Sequence, residues 1–168
     1  MTTRLLLLAL SLVVTNTSGS AQQRPDFSGD WVLNAEKSDF GPIPPPQCAG
    51  LTIVHREPEF VIEETGANGA MCGLKLTYTI GGPTITYTTP AGVRNRARAT
   101  WEDAAVVTQR VGDDGISVRV ASTLSSDGRT LVRELHGEAA QGSADWTWVY
   151  DRVVKKSERQ VGASPPLI

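Results

Sequence analysis

The feature that most constrains this chain is its punctuation. Short segments of alternating apolar and polar residues are separated by turn-forming clusters: Gly81-Gly82-Pro83, Pro90-Ala91-Gly92, Glu102-Asp103, Gly112-Asp113-Asp114-Gly115 and Ser125-Ser126-Asp127-Gly128. Asp127-Gly128 is the clearest hairpin signal, because Asp-Gly suits the positive φ angles of tight turns. The segments between are too short for packed helices. They predict strands at 25–34, 51–56, 59–64, 74–80, 84–89, 93–101, 104–111, 116–124, 130–136 and 146–154. Turns every 8–12 residues or so, and no helical period, indicate an all-β chain. Hairpin-length connections favour a single antiparallel up-and-down β-barrel of about 8–10 strands over a sandwich, which needs longer crossings.

The first segment organises the rest. Phe27, Gly29, Trp31 and Leu33 share one parity; Ser28, Asp30 and Asn34 share the other. Gly29 falls where a bulge or a close backbone approach is needed. Trp31 reads as a structural residue closing the barrel floor. Residues 35–50 follow with Pro42, Pro44, Pro45 and Pro46, which cannot join a ladder, so this stretch is expected to be an ordered extended loop across one barrel end. Residues 65–73 and the Gly/Ser/Ala stretch before Trp146 are expected as loops.

Arg4 followed by the apolar run 5–14 and the small residues Gly19-Ser20-Ala21 has the form of an export signal cleaved near Ala21. The run is shorter than the roughly 20 residues that span a bilayer. The expected organisation is therefore a signal peptide over 1–21, a barrel domain over 22–156 and a C-terminal tail over 157–168. Loss of Arg4 makes the formal charge more negative than −2, which argues against nucleic acid or an anionic membrane as partner. Cys48 and Cys72, the only cysteines, fit one disulfide in an oxidising compartment, closing a loop of about 25 residues. Zinc is the competing reading, but no CxxC is present and only His55 is near in sequence.

The run Phe27-Ser28-Gly29-Asp30-Trp31-Val32-Leu33-Asn34 resembles the first strand of the calycin barrels, the lipocalins and fatty-acid-binding proteins. Trp148-Val149-Tyr150-Asp151-Arg152-Val153 looks like the closing strand of the fatty-acid-binding group, and ten strands match that group better than the eight of lipocalins. Asp39-Phe40-Gly41-Pro42, after Leu33-Asn34-Ala35-Glu36-Lys37-Ser38, also resembles an exported bacterial family of small β proteins without an assigned activity. The resemblance implies a lipocalin-like barrel that binds a small, mostly apolar ligand inside. Two departures limit it. The proline-rich residues 35–50 cannot form the helical lid of the fatty-acid-binding group. Trp148 stands where that group has a carboxylate-binding arginine, although the matching Tyr150 is kept.

Candidate ligand residues follow from parity. Trp146, Trp148 and Tyr150 share one face of the last strand and can line a pocket, form plain core or make an exposed stripe. Tyr78 joins Leu74, Leu76 and Ile80 on one face, which with residues 116–120 would contact the ligand. Arg94, Arg96 and Arg98 share one face and could hold an acidic head if that face were inward. Ala97 and Ala99, in phase with Trp101, suit the interior better, and three unpaired buried cations would be costly, so solvent is the favoured side. His55 and His136 show no metal or haem spacing. No catalytic motif stands out: there is no G-x-S-x-G, no H-E-x-x-H and no phosphate loop. Glu63 and Glu64 point to opposite faces, and Glu57 and Glu59 flank a turn. No enzyme activity and no cofactor are expected. The second reading is a filled barrel that binds another exported protein through its loops or aromatic stripe.

Overall fold

The computed structural model describes residues 24–154. The expected signal peptide and its cleavage site, residues 22–23 and 155–156 of the expected barrel domain, and the tail over 157–168 lie outside the described residues.

Ten antiparallel strands make one sheet: β1 (Gly29–Leu33), β2 (Gly50–Arg56), β3 (Glu59–Thr65), β4 (Met71–Thr79), β5 (Ile85–Thr88), β6 (Arg94–Glu102), β7 (Ala105–Gly112), β8 (Ser117–Leu124), β9 (Thr130–Ala139) and β10 (Gly142–Arg152). Their spatial order is β4-β3-β2-β1-β10-β9-β8-β7-β6-β5. Each strand therefore pairs with its sequence neighbour except at the seam between β4 and β5, and β1 pairs with β10, Trp31 opposite Arg152. At one end the seam is drawn together by a parallel bridge, Ile80 with Ala99, where Gly81 N donates to Ala99 O at 2.8 Å. The result is a nearly closed up-and-down barrel, as the turn spacing predicts.

The period-two alternation places its apolar members inside. One half of the interior is packed solid: Phe27, Trp31, Phe60, Leu131, Val106 and Tyr150 are all essentially inaccessible. Burying each such large side chain contributes about 1.5–3 kcal/mol. A second, smaller cluster of Val118, Val120 and Leu135 lies against Trp146 and Trp148. These two clusters mark a closed end and a mouth.

The closed end is locked by Arg152. Its Nε donates to Gly128 O at 2.7 Å and its Nη1 to Ser28 O at 2.5 Å, and its guanidinium lies 4.2 Å from the Trp31 ring centroid. Gly29, at φ 146°, is glycine because a Cβ there would fall 2.6 Å from Arg152 Nη1. Trp31 Nε1 donates to Phe27 O at 3.1 Å, so the indole is held from both sides.

The proline-rich stretch runs along β10 and over the mouth. Asp39 and Thr147 exchange backbone hydrogen bonds at 2.8 Å, Gly41 packs on Trp146, and Cys48 joins Cys72 with their Cα atoms 5.7 Å apart. One sequence expectation is corrected. The stretch before Trp146 is not an extended loop: β9 and β10 continue to Ala139 and Gly142, which pair directly, leaving only Ala140-Gln141 as the turn. Small side chains permit this, because Gly137 lies where the Trp146 ring packs and a Cβ would come 2.6 Å from its Cη2.

Candidate functional site

At the mouth the barrel is hollow. A cavity of about 500 Å³ is walled by Leu74, Leu76 and Tyr78 of β4, by Val118 and Val120 of β8, and by Trp146 and Trp148 of β10. Ile43 from the proline-rich loop closes part of its rim. A recess of about 280 Å³ beside the disulfide shares Glu64, Arg133 and Trp148 with it and adds Tyr150. Tyr150 otherwise belongs to the packed half, at 1% exposure. Tyr78 serves both halves, packing in the core while lining the cavity.

Two interior arginines escape the sequence reading. Arg110 of β7 and Arg133 of β9 both line the cavity, in phase with Thr108 and with Leu131 and Leu135. Arg110 Nη1 donates to Asn95 Oδ1 at 3.1 Å, and the fully buried Asn95 in turn donates to Val93 O at 3.0 Å. Arg133 sits directly across from Trp148 in the β9–β10 pair, and its Nε has no hydrogen-bond partner. Two carboxylates share the lining, but each already serves backbone N–H groups. Glu64 Oε2 accepts from Leu74 N at 3.0 Å, and Asp114 Oδ1 accepts from Ile116 N at 3.1 Å.

The phenols respond to this setting. Burial pushes Tyr78 well above the ordinary tyrosine range, with Tyr87 adding to the rise and Arg133 and Arg110 opposing it. Burial also raises Tyr87 and Tyr150, and Arg133 holds back the rise at Tyr150. All three are therefore neutral near pH 7. The site offers cationic and N–H donors set in apolar and aromatic walls.

Arg94, Arg96 and Arg98 are not part of it. Asn95, Ala97 and Ala99 take the inner face of β6, so the arginines point to solvent. Arg96 lies 3.7 Å from Asp113, and Arg98 donates to Gln109 Oε1 at 3.0 and 2.8 Å. The row thus takes the favoured solvated face, and the alternative of an interior anion clamp through Arg94, Arg96 and Arg98 is set aside. Ile116 is likewise outside, at 39% exposure.

The histidines lie elsewhere. His55 is buried at the closed end among Phe27, Phe60 and Trp101. Its Nδ1 accepts from Phe27 N at 3.5 Å, and its Nε2 lies 3.7 Å from Glu57 Oε1. Glu57, beside the turn, is tied to this cluster: its Oε1 accepts from Trp101 Nε1 at 2.6 Å. His136 is on the outer face, 2.6 Å from Asp145 Oδ1. Among the described residues no group of three or more His, Cys, Asp or Glu is placed to hold a metal ion, and no helix is long and apolar enough to cross a membrane.

Solved structures with the same architecture bear on the fold. Secretory abundant heat soluble protein 4 from Ramazzottius varieornatus superposes with a TM-score of 0.60 at 13% identity, over 80% of this chain and 100% of its own. Fatty-acid-binding protein 1 of Echinococcus granulosus gives 0.56 at 11% identity, over 76% and 98%. Zebrafish ileal bile acid-binding protein, complexed with cholic acid, gives 0.52 at 15% identity, over 76% and 98%. The fold is the calycin barrel. At these identities the likeness concerns the calycin fold alone. No protein-family model matches the chain, and no curated protein matches it in sequence.

Proposed function

We propose that this calycin barrel is an exported carrier that reversibly binds a small, mostly apolar ligand with an acidic head in the cavity at its mouth. The observation that carries the reading is the cavity. Its volume of about 500 Å³ lies in the roughly 300–1,000 Å³ range of small-molecule pockets, which combine apolar walls with a few convergent polar groups. Arg133 and Arg110 are the groups suited to an acidic head, through charge-assisted hydrogen bonds. That fold-mates include proteins named for binding fatty acids and bile acids accords with this. A barrel filled with side chains and acting on another exported protein would have no comparable space. Export is carried by Arg4, the apolar run 5–14 and the small residues before Gln22, and the disulfide suits an oxidising compartment. On this reading the mature chain carries out no chemistry, needs no cofactor, and engages neither nucleic acid nor a bilayer interior.

The test is native mass spectrometry of the protein secreted by an expression host and purified without detergent. The expected result is an excess mass that disappears on denaturation, with a mature chain starting at Gln22. A bare mass that stays bare after incubation with fatty acids, retinoids and haem would contradict the carrier reading.

A further inference from the structure

The inner face of β6 carries one amide among small apolar side chains. Asn95, Ala97 and Ala99 alternate inward, and Asn95 is fully buried. A buried amide needs hydrogen-bond partners, and both ends of this one have them. Its Nδ2 donates to Val93 O at 3.0 Å, and its Oδ1 accepts from Arg110 Nη1 at 3.1 Å. Room for the pair comes from Gly112, directly opposite Asn95 in the β6–β7 ladder. A Cβ there would come 3.2 Å from Asn95 Oδ1 and would collide with Asp114 Oδ1.

Arg110 and Arg133 present different surfaces. Arg110 is half-buried and lines both the cavity and the groove beside the β9–β10 turn. Among the described residues its Nε and Nη2 have no protein partner and are not sealed, whereas Arg133 Nε is. Tyr78 and Tyr87, both on the cavity wall, feel the Arg110 charge. An amide at position 95 fixes the direction of the guanidinium and leaves its charge in place, where a carboxylate would neutralise it.

We propose that Asn95 is a positioning residue that holds Arg110 as the anchor for the ligand's acidic head. This rests on the interior-binding reading and adds where in the cavity the head sits. Arg110 lies two residues before Gly112, at the mouth end of β7. Arg133 lies deeper, near the start of β9 at the closed end. The head is therefore held at the rim, and the apolar chain runs inward along Leu76, Val120 and Leu135.

The experiment is calorimetric titration of the full disulfide-bonded protein with dodecanoic acid and with dodecan-1-ol, at about pH 8, where the free acid is ionised. The readout is the ratio of the two affinities. A partly folded variant lowers both by the same factor, so the ratio survives that complication. The wild-type protein should prefer the acid by at least about tenfold, the effect of a charge-assisted hydrogen bond. Arg110→Met should remove most of that preference, and Arg133→Met should remove less. Asn95→Ala should lower it about three- to tenfold while alcohol binding is kept. In the Arg110→Met background the same Asn95→Ala change should move the ratio by less than about twofold, because Asn95 acts through Arg110. Equal binding of acid and alcohol by the wild-type protein, an unchanged ratio in Asn95→Ala, an equal drop with Arg110 absent, or a larger loss from Arg133→Met would overturn the proposal. In each of these cases alcohol binding would leave the carrier reading intact. Binding of neither probe by the wild-type protein would overturn both.

Discussion

Replacing Arg152 by methionine keeps the bulk of the side chain and removes the lock on the closed end. The guanidinium donates to Gly128 O and Ser28 O at 2.7 and 2.5 Å and covers the Trp31 ring at 4.2 Å. Hydrogen bonds from a charged donor contribute about 1.5–3 kcal/mol each, and a cation–π contact about 0.5–2 kcal/mol. Arg152 is only half-buried, so the released carbonyls regain water and the lower ends apply. The expected loss is about 3 kcal/mol, or roughly 10 °C in Tm for a domain of this size. Urea denaturation followed by tryptophan fluorescence reads it directly: the midpoint should fall and the slope stay constant. Arg152→Lys restores the charge without the planar fork and should recover less than half of the loss. A loss below about 1 kcal/mol in the methionine variant would refute the assignment of Arg152 as the closing contact between β1, β10 and the β8–β9 turn.

Three further outcomes are expected. Reducing the Cys48–Cys72 bond, whose sequence separation is 24, should lower stability by about 3 kcal/mol in the chain-entropy model; urea curves of the Cys48→Ser/Cys72→Ser double variant check this without reductant. His136 is held above its ordinary value of 6.5 by Asp145 first and Glu138 second, so its proton NMR titration should show a midpoint above 6.5. The sign follows from the raised folded-state value: this contribution to stability is fully present below about pH 6.5 and is lost as pH rises through the higher folded midpoint. Gly137→Ala puts a methyl group 2.6 Å from the Trp146 ring, so the ring must shift, and an altered Trp146 side-chain N–H resonance in NMR is the expected sign.

Much of the fold is legible in the residues because the period-two pattern and the turns agree. Phe27, Trp31 and Leu51 fall inside by parity alone, and Asp127-Gly128 forms its hairpin with Gly128 at φ 67°. The pairing of first strand with last follows from closing a run of hairpins. The β9–β10 hairpin was harder to see, since Gly142, Ser143 and Ala144 carry no strand signal of their own and are held in register by their partners on β9. The polar side of the cavity was harder still. Arg94, Arg96 and Arg98 draw the eye as a row, yet the row exists because the face is solvated. The interior arginines come singly, each beside an apolar residue on the opposite face, Val111 next to Arg110 and Val132 next to Arg133, which blurs the parity. Only the alternation Leu131-Arg133-Leu135 signals an inward guanidinium. Hydrophobic patterning treats such a residue as an exception, because a buried charge is costly without a partner.

The central claim is that the mouth-side cavity is the binding site, and an amide chemical-shift map of the isotope-labelled protein titrated with palmitic acid tests it most directly. The account predicts perturbations concentrated at Leu76, Val118, Val120, Leu135, Trp146 and Trp148, with the Trp148 side-chain N–H among the largest. Phe27, Phe60 and Val106 in the packed half should be nearly unmoved. Shifts confined to the outer face of β6, around Arg94, Arg96 and Arg98, would contradict it.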